Sequence, residues 1–207
     1  MRITLTDAGK RFNRDWVFRH INYEFTNGHS YAITGPNGSG KSTLLQLIAG
    51  SLNPSEGKIR YHLQDGKDSL AEDQIHSFLS LAAPYLEVVE EMTFMEFLAF
   101  HRNFKPFLPF MNAEKIISLV GLEKSAHKQI RYYSSGMKQR VKLAQAFFSN
   151  TTILLLDEPC TNLDIEGLSL YQRLIMDYCR DRLVIVSSNE YQEYQFCESQ
   201  IDLMIYK

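Results

Sequence analysis

One glycine-rich segment constrains the fold of this 207-residue chain more than any other feature. It matches the pattern GxxxxGK[ST] at every fixed position. Together with the threonine that follows, the segment comprises Gly35, Pro36, Asn37, Gly38, Ser39, Gly40, Lys41, Ser42 and Thr43. An apolar run at 31–33 precedes it, and apolar residues at helical spacing follow it at 44–49. The sequence therefore predicts a strand, a phosphate-binding turn and a helix in direct succession.

The chemistry of this turn follows from its residue types. Glycines allow backbone N–H groups to point inward without Cβ clashes, and these groups join the next helix N-terminus in attracting an anion. The ammonium of Lys41 can reach the β- and γ-phosphates, and the hydroxyl of Ser42 can ligate Mg²⁺. We assign residues 35–43 to binding a nucleoside triphosphate, with Lys41 also catalytic and Ser42 also a metal ligand.

Composition narrows the class of protein. The chain is 44% hydrophobic and 22% charged, which is typical of one globular domain with room for a small insertion. Its net charge of −2 gives no indication of nucleic acid as a partner. The three widely spaced cysteines indicate reduced thiols rather than a disulfide framework or a zinc site. We expect neither a signal peptide nor a membrane span in this sequence.

The distribution of apolar residues predicts an α/β fold. Alternation at Ile3 and Leu5 is typical of an edge strand, and a second strand is predicted at 17–25. Later strands and helices alternate, with strands at 153–156, 183–186 and 202–206 and helices at 137–148, 168–179 and 190–198. Short apolar strands separated by helices imply a parallel sheet that is covered on both faces. We predict a core of about 1–83 and 137–207, and a helical insertion of about 84–136.

Two further motifs indicate what the phosphate turn serves. The apolar run 153–156 ends in Asp157, which would hold Mg²⁺, and Glu158, which would orient or deprotonate an attacking water. The alternative is that these acids cap the next helix. Upstream, Ser134, Ser135 and Gly136 form a small-residue turn that opens a helix, which is another potential anion site.

The spacing of these motifs resembles that of ATP-binding cassette (ABC) proteins. The segment 133–137, Tyr-Ser-Ser-Gly-Met, resembles the signature motif of that family, and 161–164, Thr-Asn-Leu-Asp, resembles its D-loop. Phe12 lies upstream of the phosphate turn, where the family stacks an aromatic ring on adenine, and Trp16 is the alternative. The resemblance implies a P-loop NTPase with a RecA-like parallel core, an antiparallel β subdomain and a helical subdomain.

The resemblance also implies partners and cofactors. Two such domains would pack head to tail, with each ATP and its Mg²⁺ held between one P-loop and the other chain's turn at 134–136. A separate integral membrane permease would hold the pair on the inner, cytoplasmic face of the cell membrane. The aromatic residues Phe104, Phe107 and Phe110 are candidates for docking to it, unless they form the insertion's own core.

Three departures from the family pattern bear on activity. Ser135 replaces a glycine and Met137 replaces a glutamine in the signature motif, Asn189 stands where the family has a histidine, and no glutamine lies near 81–88. An asparagine can donate a hydrogen bond to a phosphate but carries no charge, so we include Asn189 among the catalytic residues and expect slow hydrolysis. Glu87 is a candidate substitute for the glutamine, although its position is more typical of a surface carboxylate.

The sequence leaves two functions in favour and a kinase-like enzyme as a third, weaker hypothesis. The first is the ATP-hydrolysing subunit of a membrane transporter, and the alternative is a soluble nucleotide switch with slow or no hydrolysis that acts on a cytosolic partner. A kinase-like enzyme is disfavoured by the motifs at 133–140 and 161–164. A GTPase is disfavoured because the chain lacks an Asn-Lys-x-Asp motif.

Overall fold

The computed structural model describes residues 1–63 and 69–207, which form two β-sheets with helices around them. The strands are β1 Arg2–Phe12, β2 Asp15–Thr26, β3 Ser30–Thr34, β4 Glu56–His62, β5 Ser69–Leu70, β6 Leu79–Ala82, β7 Ile153–Asp157, β8 Leu183–Ser187 and β9 Ser199–Asp202. The helices are α1 Lys41–Ile48, α2 Phe94–His101, α3 Ala113–Leu119, α4 Ser135–Phe147, α5 Ile165–Tyr178 and α6 Tyr191–Tyr194. Short 3₁₀ segments lie at Glu72–Ser77, Glu123–Ser125, Ile130–Tyr132 and Leu203–Tyr206.

The larger sheet is parallel and has the strand order β6-β7-β8-β3-β9. Every residue of β3, β7 and β8 is buried, as expected for short apolar strands that are covered on both faces. In the register, Ser187 pairs with both Asp157 and Ile33. The carboxyl ends of these three central strands therefore meet at one edge of the sheet, and the α/β prediction is confirmed.

The smaller sheet is antiparallel, with the order β2-β1-β4-β5. Strand β1 lies inside this sheet, because Thr4 pairs with Glu24 of β2 and with Arg60 of β4. The prediction of an edge strand at Ile3 and Leu5 was therefore wrong. The partner strand β4 carries a glycine and four charged or histidine residues among its seven, so alternation alone does not single it out.

The region 84–136 contains helices α2 and α3, as predicted. Helix α2 begins with a capping box in which the Thr93 N–H donates to Glu96 Oε2 at 2.8 Å and the Glu96 N–H donates to Thr93 Oγ1 at 3.2 Å. Phe94 and Leu98 of this helix belong to the same hydrophobic cluster as Leu154 of β7. The helical region and the parallel sheet are thus joined by one continuous core.

The three phenylalanines considered for docking have different environments. Phe104 and Phe110 expose 69% and 95% of their surface, whereas Phe107 packs against the hydrophobic core. The interpretation of these rings as an internal core therefore holds only for Phe107. Within the described residues, no helix has the length and apolar content needed to cross a bilayer.

The last strand, β9, lies earlier in the chain than the strand that was predicted at 202–206. Strand β9 ends at Asp202, and Leu203–Tyr206 forms a 3₁₀ turn instead of a strand. The carboxylate of Asp202 accepts a hydrogen bond from the Met204 N–H at 2.9 Å, which begins this turn. Helix α6 is also shorter than the predicted 190–198, because it extends only from Tyr191 to Tyr194.

Candidate functional site

The glycine-rich turn connects β3 to α1 at the carboxyl edge of the parallel sheet. Gly35 and Gly40 have φ values of +144° and +100°, which non-glycine residues rarely adopt. A Cβ atom on Gly40 would lie 2.3 Å from Cγ1 of Val17 in β2, and one on Gly35 would lie 2.7 Å from Oγ of Ser39. Both positions therefore require glycine, and the turn is held closely against β2.

Lys41 is the first residue of α1, and only 5% of its surface is exposed. Its Nζ donates to the carbonyl oxygens of Gly35 at 3.0 Å and Pro36 at 3.3 Å, so the ammonium lies across the mouth of the turn. The hydroxyl of Ser39 is buried within the turn and has no hydrogen-bond partner among the described residues. A buried cation held only by neutral carbonyls is suited to a phosphate oxygen.

Asp157 ends β7 beside this turn and is 1% exposed. Burial raises the pKa of its carboxyl group, and the charge of Glu158 raises it further. The nearby hydroxyls of Ser42 and Ser187 and the charge of Lys41 act in the opposite direction. Neither hydroxyl completes a hydrogen bond of good geometry, since both carboxylate oxygens lack a partner in the described part of the chain.

The residues at this point fit a hydrated divalent cation. A buried carboxylate without a partner is costly, and a cation with its water ligands would compensate that cost. Carboxylate and hydroxyl oxygens are the donors that Mg²⁺ prefers. Asp157 and Ser42 supply this donor set beside the turn that Lys41 spans.

Glu158 follows directly and adopts φ +42°, in the left-handed region that is strained for a residue with a Cβ atom. Its N–H donates to the carbonyl oxygen of Ser187 at 2.9 Å. Its side chain is partly exposed and lines a cavity of about 470 Å³ together with Asn37 and Asn189. The predicted acid, the phosphate turn and the asparagine after β8 therefore share one cavity.

The alternative role for the two acids was wrong. Helix α5 is capped by Asp164, whose carboxylate accepts from the Gly167 N–H at 2.8 Å. Asp157 and Glu158 are thus not used as helix caps.

The small-residue turn at 134–136 begins α4 as predicted. Ser134 is the N-cap, and its Oγ accepts from the Met137 N–H at 3.3 Å. A Cβ atom on Gly136 would lie 2.9 Å from the carbonyl oxygen of Asn162, so this turn packs closely on the 161–164 loop. The turn lines a second cavity of about 600 Å³, in which no residue of 35–43 takes part. The structure therefore does not bring 134–136 to the P-loop of the same chain.

The two candidate aromatic rings differ in accessibility. Phe12 ends β1 and exposes 49% of its surface, and Lys10 Nζ lies 5.3 Å from its ring centre. The ring of Trp16 is covered by the guanidinium groups of Arg11 at 5.5 Å and Arg19 at 4.2 Å. Phe12 is therefore the ring better placed to stack on a nucleotide base.

The segment without a glutamine contains a residue that the sequence did not single out. Tyr85 follows β6 at the same edge of the sheet and exposes 44% of its surface. Partial burial of its hydroxyl raises its pKa to about 12, and the charge of Asp157 raises it further. Gln46 of α1 lies beside its hydroxyl. Glu87 is exposed and faces Lys142, in line with the interpretation of a surface carboxylate. The apolar residues Leu79, Leu81 and Ala82 directly before this segment were the signal available, although no strand was predicted there.

A parallel sheet with a glycine-rich phosphate turn after β3 and an acid pair at the end of β7 defines a P-loop nucleotide-binding fold. The sequence model of the family described as "ABC transporter" matches residues 18–161. The cytochrome c biogenesis ATP-binding export protein CcmA of Bradyrhizobium diazoefficiens is 33% identical over 177 residues, which cover 84% of each protein. The chain therefore belongs to the ABC transporter family, as an ATP-binding domain.

Two further comparisons agree with this assignment. The sulfate/thiosulfate import ATP-binding protein CysA of Escherichia coli K12 is 35% identical over 173 residues, which cover 80% of this chain and 47% of that protein. The structure titled "Dimeric Structure of MJ0796, a Bacterial ABC Transporter Cassette" superposes with a TM-score of 0.76 at 21% identity. The superposition covers 97% of this chain and 94% of the other, so the shared fold extends over nearly the whole length of both.

Proposed function

We propose that this chain is the ATP-hydrolysing subunit of an ABC transporter. The observation that carries the proposal is the environment of Asp157, a buried carboxylate without a hydrogen-bond partner in the described structure, next to Ser42 and Glu158. Such a group is costly unless it meets a cation. When bound with ATP, Mg²⁺ would supply that cation and would neutralise phosphate charge.

Each site residue has a role in this proposal. The backbone of 35–43 and the ammonium of Lys41 hold the phosphates, and Phe12 stacks on the adenine. Asp157 and Ser42 hold Mg²⁺. Glu158 orients the attacking water and accepts its proton, and the amide of Asn189 donates to the γ-phosphate from the same cavity.

Two copies of the domain, identical or merely similar, would complete each site. Ser134, Ser135 and Gly136 line a cavity separate from the P-loop, so within one chain they have no phosphate to bind. Placed against a second domain, their N–H groups at the start of α4 would face its γ-phosphate. The dimeric cassette named in the structural comparison supports the pairing of two domains.

The membrane partner is also part of the proposal. A separate permease would bind the helical region of about 84–136 and hold the pair at the inner face of the cell membrane. The relatives include a protein named for export and one named for import, so we assign no direction of transport.

Steady-state release of phosphate from Mg-ATP, measured over a range of protein concentrations, tests the proposal. Release should rise faster than linearly with protein if two domains form the site, and Glu158→Gln should abolish it. The matched control is Glu114→Gln, an exposed residue in the first turn of α3. ATP binding without release would favour the nucleotide switch, for which the uncharged Asn189 is the supporting observation. Absence of ATP binding would refute both.

A further inference from the structure

A buried carboxyl group that the sequence did not single out lines the candidate site's cavity and connects two of its parts. Glu193 of α6 is 5% exposed, and its Oε1 accepts a hydrogen bond from the Cys160 N–H at 2.7 Å. Its Oε2 is buried and has no hydrogen-bond partner among the described residues. Cys160 lies in the loop that starts at Glu158, and Glu193 lies four residues after Asn189.

On the Glu158 side, this bond closes a tight turn. The Thr161 N–H donates to the carbonyl oxygen of Glu158 at 3.1 Å, and the Cys160 N–H in between points to Glu193. Glu158 adopts its left-handed conformation directly before this turn. A strained conformation of this kind persists only where the surrounding structure fixes it, and the bond to Glu193 supplies such a constraint.

On the Asn189 side, hydrogen bonds between residues close in sequence connect Glu193 to the end of β8. The Glu193 N–H donates to the carbonyl oxygen of Glu190 at 2.9 Å, and the Glu190 N–H donates to Ser188 Oγ at 2.9 Å. The buried hydroxyl of Tyr171 donates to the carbonyl oxygen of Glu193 at 2.7 Å. Helix α6 has only four residues and is too short to be stable alone, so these contacts fix its position.

We infer that Glu193 is a positioning residue that couples the segment carrying Asn189 to the loop carrying Glu158. The inference rests on the proposed ATP hydrolysis. A side chain present only for packing would avoid the cost of a buried carboxyl with one unpartnered oxygen. An acceptor for the Cys160 N–H is what this position requires, and glutamine can also provide one. Burial raises the pKa of Glu193, the nearby Ser188 hydroxyl and the Cys160 N–H lower it, and the charge of Glu158 raises it.

The test compares Glu193→Ala with Glu193→Gln, and uses Glu198→Ala as the matched control. Glu198 is exposed, and its carboxylate pairs with His29 away from Cys160. Hydrogen exchange of the Cys160 amide should accelerate about tenfold or more in Glu193→Ala, because this N–H loses its hydrogen-bond acceptor. It should change less than about threefold in Glu193→Gln and in the control, where an acceptor for this N–H remains.

Kinetics then separate positioning from a structural role. In Glu193→Ala, kcat should fall about tenfold or more, while the Kd for Mg-ATP stays within about twofold. Glu193→Gln should restore most of kcat. Equal losses in kcat and ATP affinity, exchange that rises throughout the chain, or an unchanged kcat would each overturn the inference.

The two proposals fail in different ways. A wild-type chain that neither binds nor hydrolyses ATP refutes the proposed function. A wild-type chain that hydrolyses ATP alongside an equally active Glu193→Ala variant refutes only the coupling. An unchanged Cys160 exchange rate in Glu193→Ala overturns the coupling whether or not the chain is an ATPase.

Discussion

Replacing Asp157 with asparagine should stabilise the metal-free chain while it abolishes Mg²⁺-dependent hydrolysis. The carboxylate is buried, and neither of its oxygens has a hydrogen-bond partner within the described structure. Leaving a buried polar group unsatisfied costs about 1–3 kcal/mol, and more when the group is charged. Asparagine removes the charge but retains a buried amide, so we expect a net gain of about 1–2 kcal/mol in the free energy of unfolding.

The gain should depend on pH in a defined direction. Burial raises the pKa of Asp157 in the folded chain above the ordinary value of 3.8, so the folded state holds its proton to higher pH than the unfolded state does. Below the unfolded pKa the group is neutral in both states, and the carboxylate costs nothing. As pH rises through the folded pKa, the wild-type chain loses stability and the variant does not. The difference should therefore be small at acid pH and full at pH 8.

Urea unfolding in EDTA at acid pH and at pH 8 measures this difference, and an unchanged m-value would show that the unfolding transition is comparable. A chain of this size should also gain roughly 2–8 °C in Tm at pH 8. Asp177→Asn, at an exposed position on α5, is the control. If Asp157→Asn destabilises the chain at every pH, the carboxylate is stabilised by Ser42 and Ser187 rather than unpartnered, and the reasoning fails.

Three further predictions concern single residues of the site. Asn189→His should raise kcat about fivefold at pH 6.5, because a protonated imidazole makes a stronger hydrogen bond to a phosphate than an amide does; equal rates of phosphate release would contradict a γ-phosphate contact. Gly40→Ala should lower the free energy of unfolding by roughly 2–4 kcal/mol, because alanine is strained at φ +100° and its Cβ would overlap Val17; a urea midpoint equal to wild type would refute the overlap. Phe12→Ala should weaken ATP binding about tenfold in calorimetry, since base stacking contributes about 1–3 kcal/mol, and an unaffected Kd would exclude Phe12 as the stacking ring.

Local sequence patterns predicted the parts of the fold that depend on neighbouring residues. The turn at 35–42 and the acid pair at the end of β7 lie where their patterns indicated. These features depend on hydrogen bonds and dihedral angles within a few residues, which a single sequence specifies. The functional roles of their side chains remain predictions that the proposed experiments test.

Features that depend on distant contacts were not predictable in the same way. Strand β1 became an inner strand because β4 pairs with it from about 50 residues away, and the sequence of β4 has little strand character. In the sequence, nothing distinguishes Glu193 from the other polar residues near it. Its role depends on the contact with Cys160, which only the fold creates. Tyr85 gained its place beside Asp157 only from the register of β6 and β7.

Helix α4 is anchored in the core at its C-terminal end and exposed at its N-terminal end. Its later residues, including Leu143, Ala144 and Phe147, are buried in the core that joins the helical region to β7, whereas Ser134 and Ser135 at its start are exposed. The 13 residues of the helix span about 20 Å. A tilt of about 10° at the buried end would therefore displace the exposed end by about 3.5 Å, which is more than the length of a hydrogen bond. Small rotations of the helical region would thus be sufficient to make or break every contact that the 134–136 turn offers to a phosphate.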